Sequence, residues 1–126
     1  SILKPSLPED GIRISVMSRQ ILEDGITPDP RITENSYDEH LVILAPNPKL
    51  IGDYYKRNLP WIEFEQRYLD YLRNPQTINH VITLSQRATK QDITILCIET
   101  SPQYCHRRLL SEECKSYNPI LNITHR

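Results

Sequence analysis

One stretch constrains the fold more than any other: Asp92-Ile93-Thr94-Ile95-Leu96-Cys97-Ile98-Glu99, then Thr100-Ser101-Pro102-Gln103, then Tyr104-Cys105-His106-Arg107-Arg108. Four consecutive apolar positions from Ile95 predict a strand buried on both faces, as in a parallel sheet. A Ser-Pro break follows, and Tyr104 to Tyr117 carries Leu109, Leu110, Cys114 and Tyr117 at helical spacing. Upstream, Asn74-Pro75 resets the chain, and Ile78, Val81, Ile82 and Ser85 form another helical stripe running to about Thr89. Helix, buried strand and helix in succession are the signature of βαβ construction. The expected class is therefore α/β, a mainly parallel short sheet flanked by helices.

The rest of the chain fits that class. Ile12-Arg13-Ile14-Ser15-Val16-Met17 alternates apolar with polar, which predicts a first strand with Arg13, Ser15 and Met17 turned away from the core. Its C-terminal end delivers Ser18 and Arg19 to the edge where open α/β sheets bind ligands. Gly25, Pro28 and Pro30 interrupt residues 20–38, which read as a long loop, either a lid over that edge or a surface excursion. His40 to Ala45 reads as a short buried strand. Asn47-Pro48 starts a helix that ends near Asn58, and Trp61, Phe64, Tyr68 and Leu72 make an apolar stripe most simply assigned to the core. Residues 120–124 read as a last short strand, and residues 1–10, with Pro5 and Pro8, as an extended lead-in. At 126 residues this amounts to one domain spanning 1–126.

Composition excludes several functions. No apolar run is long enough for a bilayer, and residues 1–11 lack the apolar core of a secretory signal, so a cytoplasmic setting is expected. A formal charge of −1 provides no global attraction to nucleic acid or anionic membrane. The three cysteines, Cys97, Cys105 and Cys114, form neither a Cys-x-x-Cys pair nor a zinc-finger spacing, so neither a structural metal nor a cofactor is expected. His40, His80 and His125 are isolated in sequence.

Chemistry concentrates at Cys105-His106-Arg107. A helix start with neighbouring cations stabilises a thiolate and equally binds phosphate or carboxylate. On a helix, neighbours in sequence do not share a face, so His106 is expected to look away from Cys105. Cys97 reads as a small buried residue and Cys114 likewise. A Cys97–Cys105 disulfide is conceivable across the loop but is disfavoured in a reducing compartment. Glu99, at the strand end, is a general base or an ion-pair partner of Arg19 or Arg107. Arg107 and Arg108 either join the site or pair with Glu112 and Glu113 one turn on.

The segment from Leu96-Cys97-Ile98-Glu99 to Cys105-His106-Arg107 resembles the family called domain of unknown function 488. Gly11 to Arg19, Leu44-Ala45-Pro46-Asn47-Pro48, Trp61 to Phe64 and Arg67-Tyr68 resemble its compact YeaO-like branch, although Ser18 stands where that branch carries Asp. The resemblance spans about residues 11–117. It implies an α/β domain of cytoplasmic prokaryotic type and assigns no reaction. The expected function is a small enzyme with Cys105, His106 and Glu99 as catalytic groups and Arg19 and Arg107 holding an anionic small molecule or nucleotide. The alternative is a non-catalytic module that binds nucleotide, nucleic acid or protein through the same arginine-rich edge.

Overall fold

Among the described residues three short strands meet side by side: β1 (Ile12–Ser15) lies between β2 (Glu39–His40) and β3 (Ile93–Leu96), and both pairings are parallel. The computed structural model describes residues 1–22, 24, 26–98 and 104–124. Among the described residues four helices accompany the sheet: α1 (Pro48–Lys56), α2 (Trp61–Leu72), α3 (Ile78–Ala88) and α4 (His106–Tyr117). The chain is thus a small α/β domain, as its periodicities predict.

The register Ile12↔Ile93 through Ser15↔Leu96 sets the alternation of both strands in step. Ile12, Ile14, Val16, Ile93 and Ile95 therefore pack with the helices in the larger core. Phe64, Tyr68 and Leu72 of α2, Val81 and Leu84 of α3, and Leu109 and Leu110 of α4 fill it, each residue worth roughly 1.5–3 kcal/mol of apolar burial. Tyr68 is fully buried, and its hydroxyl donates to the carbonyl of Leu44 at 2.6 Å, so its one polar atom is satisfied. Asn47 caps α1 by accepting from the Leu50 amide at 2.8 Å, and Pro48 takes the first-turn position where a missing N–H costs nothing.

The other face departs from the expectation. Arg13, Ser15 and Met17 are buried rather than turned toward solvent. The lead-in folds back over them: Arg13 donates to Asp10 at 2.6 Å and to the carbonyls of Lys4 and Ser36, while Thr94 Oγ1 donates to the carbonyl of Asp10. Ser15 donates to Gln20 at 2.8 Å. Residues 1–10 therefore form a structured cover with a 3₁₀ turn at Pro8–Asp10 rather than an extended arm. Gly11 makes the fold-back possible. Its φ of +64° suits glycine, and a Cβ there would stand 2.1 Å from the Asp92 carbonyl oxygen.

Three further expectations are corrected. The strand expected at 40–45 is only the two residues of β2, because Val42–Leu44 winds into a 3₁₀ turn that drops Leu44 into the core. Residues 120–124 form no strand; a turn after α4 buries Leu121 and leaves Ile120 exposed. β3 is an edge strand, so Ile93, Thr94 and Ile95 are only half-buried, and full burial begins at Leu96. No helix of the described residues is long and apolar enough to cross a membrane.

Candidate functional site

The C-terminal ends of parallel strands share one edge, and the chemistry gathers there. Past β1 come Val16 and Met17, and past β3 comes Cys97. The first turn of α4 faces them with Cys105 and His106. A second, smaller core joins Ile2, Met17, Leu96, Cys97 and Cys105, with Ile32, Tyr37 and Ile98 packed against it.

Cys97 and Cys105 are free thiols with their sulfurs 3.0 Å apart, one donating S–H to the other. Both are almost wholly enclosed, at 3% and 2% exposure. The pair titrates as a unit. The hydrogen bond to Cys97 is the largest influence on Cys105 and pushes its pKa up, as do burial and the charge on Cys97; the backbone N–H and the guanidinium of Arg107 pull it back.

His106 stands beside the pair. Its Nε2 lies 2.7 Å from the Val16 carbonyl, which only accepts, so Nε2 carries the ring proton and Nδ1 is bare. Tyr68 meets the ring edge-on, with centroids 5.6 Å apart and planes at 81°. Burial lowers its pKa to about 4, with the Arg107 charge acting in the same direction against the Val16 bond, so the imidazole is neutral near neutral pH. One ring nitrogen of His106 and the two sulfurs lie within 4.8 Å of one another.

That proximity overturns the expected separation of Cys105 from His106. Cys105 is the N-cap, with extended φ −134° and ψ 139°, so the rule that adjacent helical residues diverge does not apply to it. Cys97, considered above only as a disfavoured disulfide partner of Cys105, is instead its thiol neighbour. The available signal was a cysteine at a strand exit, eight residues before a cysteine at a helix start.

The remaining candidates are dispersed. Arg107 is buried and lines a groove of about 660 Å³ along β3, shared with Lys4, Arg13, Ser111, Cys114 and Leu121; neither Cys97, Cys105 nor His106 lines it. Arg19 is exposed on the segment leaving β1. Arg108 pairs with Glu112 at 2.9 Å one turn on, whereas Glu113 pairs with Arg73 at 3.0 Å. Glu99 and the Ser101-Pro102 break lie outside the described residues. In the 20–38 loop, Ile21 bridges Pro28, Asp29 is buried against Arg31, and Gln20 bonds both Ser15 and Tyr37. His40 is hydrogen-bonded to the Met17 carbonyl at 2.7 Å, and His80 is exposed. Cys114 belongs to the larger core, where burial raises its thiol to about 12.

A family model described as the active DUF488-N3 subclade, DUF488-N3a, matches residues 1–118. Neither the curated proteins nor the solved structures contain a significant match to the chain. With strand, thiol pair, histidine and helix start all inside the matched span, the chain belongs to the DUF488-N3a family.

Proposed function

We propose that this protein is a small cytoplasmic enzyme whose reaction is centred on the Cys97–Cys105 pair, with Arg107 and Arg19 holding an anionic group of the substrate. The 3.0 Å approach of two enclosed free thiols beside a tautomer-fixed His106 carries this reading. Two sulfurs at that distance divide the work: one bears negative charge as nucleophile or redox centre, and the other donates S–H to it. The Cys97 hydrogen bond and burial favour the protonated form of Cys105, which suits it to the donor's part. Bare Nδ1 of His106 is a proton acceptor, and Glu99 is the second candidate for moving protons. The family description "active" favours an enzyme over a binding module and names no site. The likeness of the residues quoted from Gly11 to Tyr68 supports assigning the chain to the compact YeaO-like branch.

The test is competitive alkylation. In reduced protein, iodoacetamide should modify the pair before Cys114. Orthophosphate or a nucleoside monophosphate should slow that modification, and the protection should vanish in Arg107→Gln. A pair no more reactive than Cys114, with a rate insensitive to every anion, would contradict the proposal.

The enclosure of Cys105 favours a second reading, a binding module that uses the β3 groove and its Lys4, Arg13 and Arg107 lining without thiol chemistry. On that reading, binding of nucleotide or nucleic acid survives Cys105→Ala and weakens in Arg107→Gln and in high salt.

A further inference from the structure

The fold assembles a ligand set that the cysteine spacing does not announce. Cys97 comes from the exit of β3, Cys105 from the N-cap of α4 and His106 from its first turn, and one ligand atom from each lies within 4.8 Å of the others. We infer that Cys97, Cys105 and His106 bind a zinc ion. The inference rests on the thiol-centred reading above and supplies that site with an ion.

Four observations carry it. Tetrahedral zinc with Zn–S near 2.3 Å holds two sulfurs about 3.8 Å apart; here they stand at 3.0 Å, so they need part by less than an ångström. The Nε2–H of His106 donates to the Val16 carbonyl, which leaves Nδ1 as the ligand and supplies the outer hydrogen bond that orients ligating imidazoles. The edge-on ring of Tyr68, itself tied to Leu44, fixes the imidazole plane from a rigid helix. Finally, two thiolates and one imidazole select a borderline-soft ion such as zinc over magnesium or calcium. A disulfide would account for the two sulfurs alone and not for the third ligand atom beside them.

The balance is simple. Zinc displaces one proton from each thiol to solvent, two Zn–S bonds and one Zn–N bond form, and the resulting unit of Zn²⁺ and two thiolates is neutral, which suits an enclosed position. Two cysteines and one histidine match the protein ligand set of catalytic zinc centres in which water or a substrate atom takes the fourth place.

Cobalt titration of the full, anaerobically reduced chain tests this. Thiolate-to-cobalt charge-transfer and visible d–d bands should saturate at one equivalent, with release of two protons, and zinc should bleach them. Cys97→Ala and Cys105→Ala should each lose the charge-transfer band, His106→Gln should weaken binding, and Cys114→Ala should retain everything. Folded wild-type chain without a thiolate–cobalt band, or a band undiminished in both cysteine variants, would overturn the zinc site. A chain that binds no cobalt while its thiol pair remains anion-protected against alkylation would leave the thiol-centred reading standing and remove the metal alone.

Discussion

The two hydrophobic cores bury the same kind of residue for different ends. The larger one, on the helix side of the sheet, encloses Cys114 among Leu84, Leu110 and Val81, and that thiol only fills space. The smaller one, at the strand ends, encloses Cys97 and Cys105 against each other and next to His106. Burial is similar in both places, so burial does not mark the site. What differs is the company each sulfur keeps: a carbonyl 3.9 Å away for Cys114, and a second sulfur at 3.0 Å for Cys105.

The contrast predicts separable effects. Phe64→Ala should cost about 3–5 kcal/mol, because the larger core loses a buried ring and α2 cannot collapse onto the gap. Denaturant unfolding would measure it, with the Cys97–Cys105 pair still reactive in the surviving folded fraction.

Acid should strike the smaller region next. Metal-free protein holds His106 neutral down to about pH 4, whereas the unfolded chain protonates near 6.5, so the unfolded state binds more protons in between. Stability should therefore be full above pH 6.5 and fall as pH drops toward 4, by about 3 kcal/mol in all. The groups facing the ring are Tyr68, Cys105, Cys97 and Arg107, and burial pushes Tyr68 up while the Cys97 hydrogen bond and burial push Cys105 up, both away from that window. His106→Gln should flatten this part of the stability curve, and an unchanged slope would separate His106 from the acid transition.

Gly11→Ala should follow, at about 1–3 kcal/mol from its left-handed φ, with the close approach of the Asp92 carbonyl added to that. The loss should appear without any change in thiol reactivity. Cys105→Ala should cost least, on the order of 1 kcal/mol for one buried sulfur, yet it removes the pair. A small stability effect with complete loss of site chemistry, set against a large one that spares it, is the sharpest form of the contrast.

The larger core was legible because helices announce themselves locally. Trp61, Phe64, Tyr68 and Leu72 recur at helical spacing whatever they pack against, and Asn47-Pro48 marks a helix start unaided. The smaller core was half legible. Cys105-His106-Arg107 stood out, but its partners come from three other places, and strand alternation alone does not say what covers the second face. Arg13 read as solvent-facing because its partner Asp10 sits in a lead-in whose fold-back depends on Gly11. Residues 40–45 misled for the opposite reason: a short apolar run satisfies a strand and a 3₁₀ turn equally. The closeness of His106 to Cys105 was hidden because helical geometry was assumed for a residue that is an N-cap.

The most direct test of the thiol pair as one unit is the pH profile of Cys105 alkylation, followed by mass spectrometry in reduced wild-type protein and in Cys97→Ala. Cys97 contributes the largest upward push on Cys105, so its removal should shift the profile to lower pH while Cys114 stays near its own range. Superimposable Cys105 profiles in the two proteins would contradict the coupling on which the site is built.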